Sequence, residues 1–316
     1  MQDSADISKA DLSGLNWEAW IEQADTLAGD DGYCQPLGDR HAALLIERKP
    51  VLLVTFESFN RLPDSSATAQ PFGWSMIERF GWSHLCLLSH GDTWFRDTRV
   101  YGYFDRLIDD GFFDEFDQVI FYGAGPCGYA AAAFSVAAPG ARVAMLSPQA
   151  TLDPRVAEWD DRYLHMRRTA FTDRYGYAPD MLDAADAAVL LYDPEVELDA
   201  MHAALFTRAN VVKFRTRFLG YQIAQTLQRM GLIAQLLAAL SEAPLTPLDV
   251  ARMWRARREE TPYLANVMRR LIADERYHLT VLHCRNAIAR KVGGPRFRKA
   301  LGMAEARLAS TTDSTA

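Results

Sequence analysis

Seven short, apolar, β-rich runs recur along this chain, at 42–47, 51–56, 83–88, 118–122, 142–146, 187–192 and 209–214. From the second run on, the intervening segments are long enough for crossover helices, a rhythm that predicts an α/β fold with a mainly parallel sheet flanked by helices. Segments 74–80, 101–110, 128–138 and 197–206 have helical spacing, and 220–240 reads as one apolar helix. Between them, 153–179 is an aromatic and charged insertion placed to cover the ends of the strands.

The proline pair Pro244 and Pro247 breaks the pattern, after which 248–260, 262–274, 278–291 and 295–308 all read as helices. The predicted organisation is therefore a leader (1–40), an α/β domain (41–244) and a C-terminal helical extension (245–316). Charge divides along the same line. From Thr246 onward there are 14 Lys/Arg against 7 Asp/Glu, leaving 20 against 34 in the rest, so a body near −14 carries a basic tail. That body disfavours nucleic acid as a partner, whereas the Arg252–Arg258 cluster of the tail leaves an acidic partner or nucleic acid open, beside a plain solvated helix face.

The first residues are polar and acidic, and no later stretch keeps about 18 apolar residues free of charge. A cytoplasmic protein with no membrane partner is expected. Cys34, Cys86, Cys127 and Cys284 form no CxxC pair, and His278 and His283 share no helical face, so no metal site is expected. Phosphate chemistry has no support either, because the chain lacks a G-x-x-x-x-G-K-[ST] loop.

The sharpest local signal is Val119-Ile-Phe-Tyr-Gly-Ala-Gly-Pro-Cys-Gly-Tyr-Ala-Ala-Ala, a strand passing through a glycine-rich turn into an alanine-rich helix. With Gly123, Gly125 and Gly128 it fits G-x-G-x-x-G, the dinucleotide fingerprint, in which a pyrophosphate sits at the helix N-terminus. That use calls for an acid at the end of the next strand to take the ribose hydroxyls. Here the next strand ends in Ser147-Pro148. The same text also fits a nucleophile elbow, G-x-Nu-x-G, with Gly123 and Cys127 as the small flanking residues and Gly125 in the nucleophile position.

Later motifs follow in a fixed order: Ser147-Pro-Gln149, then Tyr192-Asp-Pro194 with Asp199-Ala-Met-His202, then Gly220-Tyr221 opening an apolar helix. In this order, over 44–240, the chain resembles bacterial α/β-hydrolase-like proteins. The resemblance implies that Asp193 stands at the triad acid, while Gly125 and Tyr221 occupy the positions of the serine and the histidine. Acyl transfer by this route needs a nucleophile activated by a base. Both are missing, although an oxyanion hole and a pocket could still give weak residual catalysis.

The expected function is thus a catalytically degenerate α/β-hydrolase-like protein that binds a small molecule or a protein partner, through the former active-site pocket or the helical tail, without a cofactor. Two enzymatic alternatives stand beside it: a thiol-dependent acyl hydrolase using Cys127 at the helix N-terminus with His202 or His90 as base, or a dinucleotide-dependent oxidoreductase using Gly123, Gly125 and Gly128. Pocket residues are expected at Thr55, Phe56 and Glu57 after the second strand, at Pro126, and at His202, which Asp199 neighbours on its helix. The loop 91–97 leaves a strand at the edge where ligands collect, and Trp74, Trp82, Trp94 and Phe95 suit either a pocket wall or the core.

Overall fold

The computed structural model describes residues 7–313. Its centre is one eight-stranded sheet: β1 (Gly32–Pro36), β2 (His41–Ile46), β3 (Val51–Ser58), β4 (Ser83–Ser89), β5 (Gln118–Ala124), β6 (Arg142–Leu146), β7 (Ala187–Tyr192) and β8 (Val211–Arg215). The spatial order is β1-β2-β4-β3-β5-β6-β7-β8. β2 runs antiparallel to both neighbours, and every pair from β4 to β8 is parallel.

Strand β1 is absent from the sequence expectation. Five residues, beginning in glycine and ending in proline, give no apolar run, and the strand lies at the sheet edge, where proline is tolerated.

The helices are α1 (Trp17–Ala28), the single turn α2 (Leu62–Ser65), α3 (Trp74–Phe80), α4 (Thr98–Asp109), α5 (Pro126–Phe134), the single turns α6 (Pro154–Ala157) and α7 (Ala178–Met181), α8 (Glu197–Leu205), α9 (Ile223–Arg229), α10 (Leu232–Glu242), α11 (Pro247–Met253), α12 (Thr261–Ala273), α13 (Tyr277–Ala289) and α14 (Pro295–Asp313). The helix expected over 220–240 is two helices. Its apolar period continues, but Gly231 takes a left-handed φ of 66° and breaks the ladder between α9 and α10.

Alternation along the strands sends side chains into two layers. Phe121 of β5 and Leu190 of β7 join α4 and α5 in one core, where Phe104, Phe134 and Tyr129 are fully buried. On the other face, Ile120, Val189 and Leu191 meet α9, α10 and α11, while α1 and α3 cover β2 and β4 with Trp20 and Trp74. Packing runs on past the proline pair, since Val250 and Trp254 belong to the α9–α10 core. The separate cluster of the tail starts at Leu264 and holds Met268, Cys284 and Phe297, so the change of core falls beyond 245.

The parallel strand order, the single antiparallel strand β2 and the helices on both faces make this an α/β-hydrolase fold followed by a helical C-terminal region. Among the described residues no helix is long and apolar enough to cross a membrane.

Candidate functional site

At the end of β5 the chain turns into α5 through Gly125, with φ 57° and ψ −126°. An L side chain rarely adopts this backbone, and it is the strained turn that defines an elbow. A Cβ on Gly125 would meet nothing within 4 Å, so the space above the turn is open. Gly123 differs: a Cβ there would come within 2.1 Å of the Cys127 carbonyl oxygen. Strand and helix approach that closely only because position 123 has no side chain.

An elbow normally stabilises an oxyanion through the N–H of the residue after the nucleophile. Here that residue is Pro126, which has no N–H. The expectation of a surviving oxyanion hole therefore loses its main donor. The Gly125 N–H is itself committed to Leu146 O at 2.8 Å.

Asp193 follows β7 and is 1% exposed. Its oxygens accept from the backbone N–H of Glu195 at 2.9 Å and of Gly220 at 2.6 Å, so it fastens the loop after β8. Tyr221, the next residue, is 75% exposed. The carboxylate that would orient a base holds backbone instead, and the neighbouring ring faces solvent.

A cavity of about 400 Å³ opens between the ends of β3, β4 and β5 and helix α9. Phe56, Glu57, Pro126 and Cys127 line it, as does most of the loop after β4, from Gly91 to Phe95. The insertion contributes Tyr163, and α9 contributes Ala224, Gln225 and Gln228. Gly125, Asp193, Tyr221, Thr55 and His202 are not on its wall. Trp94 and Phe95 line it, with positive φ at both, whereas Trp74 and Trp82 pack in the core.

Behind the wall lies a polar group on two adjacent parallel strands. Thr55 and Glu57 alternate on β3, and His84 and Cys86 alternate on β4, with Thr55 paired to Cys86 in register. They sit where the α1–α3 core and the α9–α10 core adjoin. The Thr55 hydroxyl donates to Glu57 Oε1 at 2.8 Å and lies 2.8 Å from His84 Nε2. A hydroxyl has one proton, so Nε2–H donates to Thr55, and His84 Nδ1 remains a buried acceptor without a partner.

The Phe72 N–H reaches both Glu57 oxygens at 3.1 Å, and the Cys86 thiol reaches Oε1 at 3.6 Å. Burial raises the Glu57 proton affinity above the usual carboxyl range, against these donors. Burial alone pushes His84 down to about 3, so the ring is neutral. Ligand atoms of Glu57, His84 and Cys86 fall within 4.8 Å of one another, but the Thr55 hydroxyl sits between Glu57 and His84 and joins them through hydrogen bonds. Sequence reasoning named Thr55 and Glu57 but not their partners His84 and Cys86 on the neighbouring strand. The i, i+2 polar pairs inside two apolar runs were the only signal of the group, and that signal needs the register to be legible.

Burial, and then the nearby Glu57, push the Cys127 thiol up to about 12. Among the described residues no histidine hydrogen-bonds it. His202 lies elsewhere, where its Nδ1 accepts from the Ala150 N–H at 3.2 Å and its Nε2–H donates to Asp160 at 2.9 Å. The expected partner Asp199 instead takes Arg162 at 2.6 Å. Spacing on one helix favoured Asp199, but the insertion supplies Asp160 to the same ring. His90 stacks on Trp17 with ring centroids 5.3 Å apart.

The insertion is fastened over the cavity by Arg96, whose side chain is 1% exposed. Its guanidinium donates to the carbonyls of Ala170 at 3.1 Å and Arg174 at 2.8 Å and to the Tyr129 hydroxyl at 3.3 Å, pairs with Asp173, and stacks on Tyr101 and Phe171. In the tail, Arg257 bonds the Trp254 carbonyl and stacks on its ring, and Arg252 lies 3.7 Å from Asp249.

No family model and no curated protein matches this chain. Solved structures similar to it include the capsule O-acetyltransferase of Neisseria meningitidis serogroup A, at 12% identity and TM-score 0.42, over 68% of this chain and 99% of that one. Est1E from Butyrivibrio proteoclasticus is similar at 13% identity and TM-score 0.40, over 67% and 100%. EstE1, a thermophilic carboxylesterase cloned from a metagenomic library, is similar at 14% and 0.38, over 77% and 98%. At such identities and TM-scores the likeness carries nothing about activity, and the fold stands on the strand order.

Proposed function

We propose that this protein is a catalytically degenerate α/β-hydrolase-fold protein that binds a small ligand in the cavity between β3, β4, β5 and α9. The observation that carries the proposal is the elbow. Gly125 keeps the strained turn but offers no nucleophile, and Pro126 offers no oxyanion donor. Support also comes from Asp193, whose oxygens hold two backbone amides, and from Tyr221, whose ring faces solvent. A cavity of about 400 Å³ lined by aromatic rings together with many polar and charged groups is of the size that takes a small polar organic molecule.

Among the described residues, the internal partners of Arg252 and Arg257 favour the cavity over the basic tail as the binding surface. A thiol hydrolase has less support, because a thiol with an affinity near 12 is protonated at neutral pH and no imidazole reaches it.

The test is activity-based labelling of the full chain with a fluorophosphonate and with iodoacetamide, beside hydrolysis of p-nitrophenyl acetate. Neither probe is expected to modify an active-site residue, and ester hydrolysis should match that of buffer. Stoichiometric fluorophosphonate labelling, or ester turnover abolished by Cys127→Ala, would overturn the proposal.

A further inference from the structure

Glu57 is the chemically distinctive part of the cavity wall. Every donor it accepts from is neutral: the Phe72 amide, the Thr55 hydroxyl and the Cys86 thiol. Among the described residues, no Lys, Arg or His lies within salt-bridge distance of it. His84 is linked to it only through Thr55, and burial keeps that ring neutral. A partly buried carboxylate on a cavity wall with no counter-charge of its own favours a cation arriving beside it.

The rest of the wall agrees with this charge. Asp64 and Asp92 stand with Glu57 against a single lining cation, Arg61. Asp92 is met by the exposed His165 at 3.2 Å. Beside Glu57, the rings of Phe72 and Tyr122 lie 5.1 Å apart between centroids, and both line the cavity. Aromatic faces next to a carboxylate form a setting for an organic ammonium group, which gains from the ring quadrupole as well as from the charge.

We infer that the ligand of this cavity carries an ammonium group, seated on Glu57, with an apolar or aromatic body against Phe72 and Tyr122. The inference rests on the cavity being a binding site, as proposed above. A metal ion is the lesser fit, because the Thr55 hydroxyl stands between Glu57 and His84, and His84 and Cys86 do not line the cavity.

Isothermal titration of the full chain with probes of one size and different charge tests this: benzylamine, benzyltrimethylammonium, benzyl alcohol and benzoate, with zinc chloride as a separate arm. The expected result is that at least one of the two cations binds about tenfold or more tightly than benzyl alcohol, and that benzoate does not bind. Glu57→Gln should bring the cation down to the level of the alcohol while leaving the alcohol unchanged. Benzyl alcohol or benzoate binding as tightly as the cations would overturn the inference and leave the binding cavity standing. So would stoichiometric zinc binding lost in Cys86→Ala. If no aromatic probe binds, the cavity proposal fails and the inference with it. The comparison among probes uses the unaltered protein, so it does not depend on the folding of any variant.

Discussion

The elbow at β5–α5 and the polar group on β3–β4 are both tied to one cavity and are built in opposite ways. The elbow consists of backbone: a positive φ at Gly125, a close approach at Gly123, and a proline where a donor would be. The β3–β4 group consists of side chains on regular strands, with Thr55, Glu57, His84 and Cys86 held by register. An unusual turn can therefore persist without reactive groups, while titratable groups collect on ordinary strands beside it. Both regions give residues to the cavity wall, Gly123, Pro126 and Cys127 from the first and Glu57 from the second.

The comparison breaks most readily at Gly123. Gly123→Ala should cost about 3 kcal/mol or more, because the new methyl meets a carbonyl that only a backbone shift can clear. Gly125→Ala, two residues on, has free space and should cost about 1–2 kcal/mol for the left-handed backbone alone. Urea unfolding of both variants checks the order, and equal costs would mean that the turn is not held by close approach.

The strand group is sharpened by acid. Burial pushes the proton affinity of His84 in this group down to about 3, and that of His41 on β2, outside the group and bonded to Thr93, down to about 4, from 6.5, so below about 6.5 the unfolded chain binds two protons that the folded chain refuses. Stability is then complete above that pH and falls by up to about 3 kcal/mol per pH unit as the solution is acidified toward pH 5. Denaturant melts at pH 7, 6 and 5 measure the slope, which the raised proton affinity of Glu57 opposes; a flat profile in Glu57→Gln would show that these rings are open to water.

A smaller contrast lies at the far end of the sheet. Asp193→Ala removes the acceptor of two backbone amides and should cost about 2–3 kcal/mol. Tyr221→Ala should stay within about 0.5 kcal/mol, as expected for an exposed side chain. Thermal melts compare them directly, and a Tyr221 effect as large as that of Asp193 would place its ring in contact with something not seen here.

Much of the sheet was legible because each of β2 to β8 is an apolar run bounded by turn residues or helix-length segments. β1 was not, since Gly32 and Pro36 bound a run too short to show alternation. The walls at Phe56, Glu57 and Pro126, and the loop 91–97, were legible as strand ends. His202 shows where local spacing misleads: Asp199 is three residues away, yet the ring bonds Asp160, 42 residues away in an irregular insertion. The Thr55 hub needed strand pairing, which no single run contains.

Arg96 bears on how a ligand enters. One buried guanidinium holds two carbonyls and a carboxylate of the segment that carries Tyr163 over the cavity, and ties them to the Tyr129 hydroxyl of α5. Removal of that one side chain would take away all of these contacts at once. Arg96 does not hold the cover alone: Arg174 of the same segment reaches Asp105 at 2.8 Å and Asp160 reaches His202 at 2.9 Å, so the cover is pinned to the body at three separate places.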